Sequence, residues 1–332
     1  MSTTVLAVAN LYTWEDYIMI ENCELDLGFS WTKGKNNKRS YLQPSIIGES
    51  KPMFEMNIKP DDYVFNDELF VGNLALRHSD IKYFSMNNNK SEARTSDVIL
   101  KTAIGSLARS NPINLLTGLP LNFYFKQKDE FEQKIMKLND TSSFTVRKGK
   151  NKDMNIKISI NECKVVPQGY GIAMDYILKA DGNIDKHKIA KSKILVIDLG
   201  FYTLGLLGLD KMEIMKESTA LLLGVENAYK LLQSYLQAKI GRSPAKYELD
   251  PYVISGVYEG KNISDLINKS FRALAQQIQN EIESLNITFN YYLVGGGAAH
   301  LIYEYLDLPN KILFDQLSQL RGYGKIGVRL WK

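Results

Sequence analysis

Ile194-Leu195-Val196-Ile197-Asp198-Leu199-Gly200-Phe201-Tyr202-Thr203-Leu204 decides how the rest of the chain is read. The first four residues are apolar and three are β-branched, the pattern of a strand buried on both faces. The run then ends on an aspartate. Burying a carboxylate there costs several kcal/mol unless it is paired or serves an ion. A glycine turn and the hydroxyl residues Tyr202 and Thr203 follow, and 204–209 reads as a returning strand. The first half of the chain repeats the set as Asp26-Leu27-Gly28-Phe29-Ser30-Trp31-Thr32-Lys33. Backbone N–H groups at a glycine-bearing turn converge on one concavity and can cradle phosphate oxygens. Lys33 adds a point charge, and Asp26 can hold water around Mg²⁺, which seldom sheds its whole hydration shell. Taken singly, the first loop reads more readily as a plain hairpin, since Asp-x-Gly is a common turn sequence. Two such loops facing each other would grip a polyphosphate from both sides and bring two carboxylates to its metal.

A third element is Tyr292-Leu293-Val294-Gly295-Gly296-Gly297-Ala298-Ala299-His300, an apolar strand that runs through three glycines into a helix. Glycines there let the backbone approach a flat ring, and a helix start offers unpaired N–H groups. The spacing is not that of a dinucleotide-binding Gly-x-Gly-x-x-Gly, and no Gly-x-x-x-x-Gly-Lys-Ser/Thr loop exists. Elsewhere, strands are expected at 62–65, 114–117, 143–146, 155–160, 164–166 and 290–294. Helices are expected at 95–108, 218–238 and 263–285, the last with an apolar stripe of period near 3.6. Strands alternating with helices of this length indicate an α/β fold with central sheets. The lysine- and asparagine-rich stretches 33–39 and 147–152 read as solvated hairpin tips.

The 332 residues suit two domains, and 45% hydrophobic with 23% charged residues are globular values. A net charge of +4 gives no reason to expect nucleic acid or a membrane surface as a direct partner. Two cysteines and three dispersed histidines exclude a disulfide framework and a histidine-rich metal site. Cys163 reads as a buried, inert thiol and His300 as a helix-surface residue. The longest apolar candidate, 194–209, contains Asp198 and three glycines, so no membrane span is expected. The start of the chain lacks the basic flank of a signal peptide, and a soluble cytoplasmic protein is the expectation.

In its order of loops the chain resembles the actin superfamily of ATPases, most closely the bacterial and archaeal plasmid-segregation proteins of the ParM type. The resemblance covers nearly the whole chain. Val165-Val166-Pro167-Gln168-Gly169 looks like the segment joining the lobes, and Val294 to Ala299 like the adenosine loop. Gln43-Pro44-Ser45-Ile46-Ile47-Gly48, Phe70-Val71-Gly72-Asn73-Leu74-Ala75, Leu116-Thr117-Gly118-Leu119-Pro120 and Gly322-Tyr323 agree with it.

What the resemblance implies is an α/β, ribonuclease H-like fold of two lobes with a nucleotide cleft between them. Residues 1–175, with an extension over 1–20, would form the first lobe, completed by a C-terminal helix at about 316–332; residues 176–315 would form the second. ATP or GTP would bind with Mg²⁺, which Asp26 and Asp198 would hold through water. Gln168 would orient the attacking water, in a reaction carried by positioning and electrostatics. Gly28, Phe29, Ser30, Thr32 and Lys33 would form the first phosphate loop, and Gly200, Phe201, Tyr202 and Thr203 the second. Ser218, Gly224, Gly295, Gly296, Gly297 and Ala298 would surround the ribose and base. The protein would polymerise with itself and reach centromere-like DNA through a DNA-binding adaptor. A phosphotransferase of the sugar- or acetate-kinase type and a non-hydrolysing scaffold are the alternatives.

One departure concerns the strand before the first loop. Glu21-Asn22-Cys23-Glu24-Leu25 is poor strand material, so the strand is expected at 17–20, with a bulge before the loop, or at 3–9 in the extension. Tyr12 and Trp14 in that extension are candidates for docking on a neighbouring subunit.

Overall fold

Two sheets with the same connectivity organise the chain. The computed structural model describes residues 20–85 and 90–331, with backbone alone for 90–93. The first sheet runs, in spatial order, Ile160–Pro167, Ile113–Leu119, Glu21–Leu27, Trp31–Lys35 and Ser40–Pro44. The second runs Lys311–Leu313, Tyr291–Gly295, Lys193–Leu199, Leu204–Asp210 and Glu213–Ile214, and Thr219–Leu221 also pairs with Leu204–Asp210. In each, the first strand in sequence sits at the centre. Its next two neighbours return antiparallel, and later strands add in parallel on its other side.

The likeness extends to register. Asp26 faces Lys33 and Leu27 faces Thr32 in the first hairpin; Asp198 faces Gly205 and Leu199 faces Leu204 in the second. Both aspartates therefore stand one residue before the end of a central strand, ahead of a four-residue turn. A six-stranded antiparallel sheet lies in the first half, with Tyr63–Phe65 and Leu69–Val71 near its middle and Lys82–Phe84 at one edge. Helix Lys90–Ala108 packs Val98, Ile99, Ala103, Ile104 and Leu107 into the core of that half. The lysine- and asparagine-rich stretches fall at hairpin tips, between Trp31–Lys35 and Ser40–Pro44 and between Phe144–Lys148 and Met154–Ile156.

Two expectations are corrected. The central strand of the first sheet is Glu21–Leu27 itself, the segment judged too polar for the role. Cys23 and Leu25 are wholly buried on one face. On the other face Glu24 lies opposite Lys35, and burial pushes its carboxyl up to about 7 with Lys35 pulling the other way. Pairing on both edges supplies the backbone hydrogen bonds that local propensity does not predict. Ile20 precedes this strand; Tyr12, Trp14 and the expected strand at 3–9 lie outside the described residues, as do 17–19. The helix expected at 218–238 is Val225–Ile240, preceded by the strand Thr219–Leu221. Sheet hydrogen bonds hold that strand, and the Ser218 hydroxyl bonds the N–H and C=O of Gly208. Helix Ser264–Ser284 follows its expected stripe, burying Ile267, Phe271, Leu274, Ile278 and Ile282.

Between the two sheets, Gln168 and Gly169 lead from Ile160–Pro167 into helix Tyr170–Ile177. That helix crosses the last one, Ser318–Leu330, at a pair of glycines. A Cβ on Gly322 would lie 1.8 Å from the Gly171 carbonyl oxygen. Beyond the crossing, Asp175 takes ion pairs from Arg321 at 2.8 Å and Lys325 at 2.9 Å. No described helix is long and apolar enough to cross a membrane.

Candidate functional site

The two hairpin turns, the segment at Gln168 and the glycine loop after Tyr291–Gly295 all open onto one cavity of about 1100 Å³. Each contribution has a local cause. The four-residue turns aim Asp26 and Asp198 inward because both occupy the same register in equivalent hairpins. In the second turn, Gly200 N–H donates to Thr203 O at 2.9 Å, which closes the loop tightly. Gly296 adopts φ +104, and a Cβ there would lie 2.2 Å from the Leu199 carbonyl oxygen. Only glycine lets the third loop come this close to the second.

The charges on the cavity floor are few and connected. Gln168 Nε2 donates to Asp26 Oδ1 at 3.2 Å, and Lys33 Nζ lies 3.8 Å from Asp26 Oδ2. Lys33 also donates to the Gln316 carbonyl at 3.1 Å, tying the floor to the segment before the last helix. Gly169 N–H donates to Gln319 Oε1 at 2.9 Å, a second tie to that helix. Asp198 is half-buried, and burial pushes its carboxyl up to about 6; Asp26 adds to the rise and Lys33 opposes it. Near them the Tyr323 hydroxyl is buried with no hydrogen-bond partner among the described residues, its proton held by burial and by the charges of both aspartates.

The cavity is lined by Asp26, Gly28, Phe29, Ser30, Lys33, Gln168, Asp198, Gly200, Phe201, Thr203, Gly296, Gly297 and Ala298. The other expected residues do not line it. Thr32 is buried in its hairpin with Oγ1 2.9 Å from Ser45 Oγ, because its strand position faces away from the turn. Tyr202 points into an aromatic cluster, edge-on to Phe201 and Phe29. Ser218 is spent on Gly208. Gly224 sits under the second turn, where a Cβ would meet the Phe201 carbonyl oxygen at 2.4 Å. Gly295 is still within its strand, against Ile172.

Sequence reasoning missed Tyr229, Asp250, Val253 and Ile254, which line the cavity wall beyond the second turn, and Asp315 and Gln319 from the C-terminal end. Tyr229 carried a signal, as the residue one turn into the helix behind the second loop. Asp250 carried none. His300 is exposed, as expected of a helix surface, and also borders the cavity. Cys163 is buried and lies outside it; burial pushes its thiol up to about 12.

The donor set suits a hydrated divalent cation shared with phosphates. Asp26 and Asp198 stand together at its floor, and the charge of the first adds to the rise of the second, so a cation between them would relieve a repulsion already present. No group of three or more His, Cys, Asp or Glu side chains placed to hold a metal occurs among the described residues. A cation here would draw its remaining ligands from water and substrate, as Mg²⁺ does in phosphate-binding sites.

The two halves also touch through aromatic rings. Phe29 meets Tyr202 edge-on at 6.4 Å, and Phe84, on the edge strand of the six-stranded sheet, meets Tyr247 at 5.2 Å. The Asn122 side chain donates to the Ala220 carbonyl at 2.7 Å.

Comparison with known proteins matches residues 25–171 to the N-terminal domain of actin-like proteins. Residues 196–306 match the C-terminal domain of the archaeal MreB-like actin homologue. Among curated proteins, none matches the sequence significantly. Among solved structures, a non-polymerisable quadruple mutant of the pCBH ParM is 25% identical, with a TM-score of 0.75, over 94% of this chain and 100% of its own. A ParM from a 15-stranded filament of Clostridium botulinum is 24% identical, with a TM-score of 0.75, over 93% of this chain and 99% of its own. A ParM from Bacillus thuringiensis with ADP is 14% identical, with a TM-score of 0.67, over 94% of this chain and 99% of its own.

Proposed function

Because the chain belongs to the actin-like superfamily, we propose that it binds a nucleoside triphosphate with Mg²⁺ between its two aspartate-bearing turns, hydrolyses it, and assembles with copies of itself into filaments. The observation that carries this reading is the register-matched pair of hairpins, each delivering an aspartate to one shared cavity. The similar proteins described as a filament and as an ADP complex support it.

In this reading the phosphates lie between turns 28–31 and 200–203, with Lys33 on their negative charge. Asp26 and Asp198 would hold the cation through water, and a cation bound there would supply positive charge to offset that of the phosphates. Gln168 already donates its amide N–H to Asp26, which leaves its carbonyl oxygen to accept from the attacking water. A glutamine is no strong base, but this reaction asks for orientation more than proton abstraction. The lobes are residues 1–175 with the helix at about 316–332, and residues 176–315, which hinge near Gln168 and Gly169. A modest net charge of +4 suits a cytoplasmic subunit that packs on itself and reaches plasmid DNA through a DNA-binding adaptor.

Light scattering and phosphate release, followed together after adding ATP or GTP with Mg²⁺, test the proposal. Scattering rises and then decays as phosphate appears, and Asp198→Ala lowers phosphate release at least 100-fold. Absence of nucleotide-dependent scattering would sink the filament reading. Unchanged release in Asp198→Ala would remove the second turn from the chemistry.

A further inference from the structure

The cavity wall holds a carboxylate, Asp250, that the hydrolysis proposed above does not use and that, unlike Asp315, has no arginine beside it. Asp250 begins the short helix Asp250–Ser255 and faces the cavity beside Val225, Val253, Ile254 and Ala298, which are all apolar. Its Oδ1 accepts a 2.6 Å hydrogen bond from the Tyr229 hydroxyl. Among the described residues no lysine, arginine or histidine pairs with it. The Tyr229 ring is fixed in turn, edge-on to Phe201 at 5.6 Å and to Phe271 at 6.2 Å. The carboxylate is therefore held at one oxygen, with the other left free toward the cavity.

Its position along the cavity follows from the helix behind the second turn. Val225 and Glu226 start that helix by donating their N–H groups to the carbonyls of Gly200 and Phe201. Tyr229 stands one helical turn later, about 6 Å along the axis, and reaches Asp250 across a full phenol side chain. Asp250 is thus set off from the second turn by one helical turn and the reach of a phenol ring, which places it on the side of the cavity where the base of a nucleotide held at the turns would lie.

A carboxylate on this wall, in a cavity that other aspartates also line, is unfavourable unless the ligand brings N–H donors to it. Purine bases differ in this respect. Guanine presents N1–H and the 2-amino group side by side, which the free oxygen and the remaining lone pair of Oδ1 can accept together. Adenine presents its 6-amino group beside the N1 lone pair, which a carboxylate repels. We propose that Asp250 reads the base edge and selects guanine nucleotides, with Tyr229 as the positioning residue that orients it. The proposal rests on the reading of the cavity as a nucleotide site. A site built to accept hydrogen bonds discriminates strongly against an analogue that cannot supply them, because its buried acceptor is left unpaired.

Equilibrium titration of the full chain with Mg²⁺ and GDP, ADP, IDP or XDP tests this. GDP binds at least 10-fold tighter than ADP, and IDP, lacking the 2-amino group, falls between them. Asp250→Asn loses the GDP preference and gains XDP, because the asparagine amide donates to the 2-oxo group of xanthine. Tyr229→Phe keeps the apolar packing and lowers the GDP-to-ADP ratio a few-fold. Equal binding of GDP and ADP by the wild-type chain overturns the base assignment while leaving the cavity a nucleotide site. Equal losses for both in Asp250→Asn also overturn it, pointing to the ribose. Binding of no nucleotide removes the proposed function itself, and the base reader with it.

Discussion

Gly322→Ala probes the joint on which the two sheets meet. The added methyl would start 1.8 Å from the Gly171 carbonyl oxygen and 2.5 Å from its carbon, and neither atom can rotate away. A carbon–oxygen contact needs about 3.3 Å, so helices Tyr170–Ile177 and Ser318–Leu330 must part by roughly 1.5 Å. That movement loosens Leu320 and Tyr323 from Ile172, Ala173 and Met174, all of them buried in one cluster. Overpacking of this kind costs typically 1–3 kcal/mol, and a backbone-to-backbone clash belongs at the upper end. Alanine also gains about 1 kcal/mol over glycine in a helix interior, so a control must carry the same gain. Gly324→Ala does: it lies two residues on, and its nearest neighbour is the Glu24 side chain at 3.2 Å, which can move. Gly322→Ala should unfold about 2–3 kcal/mol more easily than Gly324→Ala, or roughly 3–4 °C lower in Tm for a chain of this length. Thermal melts by circular dichroism measure the difference. Equal melting of the two variants, or greater stability of Gly322→Ala, would refute the close crossing as a stability determinant.

Three further outcomes follow from the cavity. Asp198 has a folded pKa of about 6, above the ordinary 3.8, so the ligand-free native state binds its proton more tightly than the unfolded chain. Stability should therefore fall as pH rises from about 4 to 6. Asp198→Asn should remove that part of the slope and raise stability at pH 7 by on the order of 2 kcal/mol while blocking phosphate release; parallel melting curves for the two proteins across this range would contradict it. Tyr247→Ala removes the ring that meets Phe84 of the other half, an aromatic pair worth about 0.5–1.5 kcal/mol. If that contact holds the two halves together over a bound nucleotide, release of a fluorescent nucleotide should accelerate roughly 2- to 12-fold, and an unchanged rate in stopped flow would show that it does not. Gly296→Ala places a Cβ at φ +104, 2.2 Å from Leu199, whereas Gly297→Ala meets nothing within 4 Å. The first should weaken nucleotide binding at least 10-fold more than the second; comparable affinities by titration would count against the close approach of the third loop.

Local pattern reached some parts of this molecule and not others. The strand before Asp198 was legible because four apolar residues in a row leave few alternatives to burial. The helix Ser264–Ser284 was legible because its stripe repeats at the helical period over several turns. The strand before Asp26 was not, since Glu21 and Glu24 have low strand propensity; Lys35 across the hairpin and the distant strand Ile113–Leu119 on the other edge make the conformation favourable. Ser218 was misread for the same reason. Its surroundings look like a helix start, yet sheet pairing with Leu204–Asp210 outweighs that preference.

By itself, then, the amino-acid order determined the two Asp-Leu-Gly-Phe turns, the glycine loop and the α/β alternation, since each depends on residues close together in the chain. The tertiary structure decided which of them face one another. It brought Asp26, Gln168 and Asp198 to one cavity, set Gly171 against Gly322, and placed Asp250 under Tyr229. Those juxtapositions join residues 21 to 172 positions apart, where no local periodicity records them. Backbone preference acts over a few residues, whereas a cavity is made by the packing of whole sheets and helices.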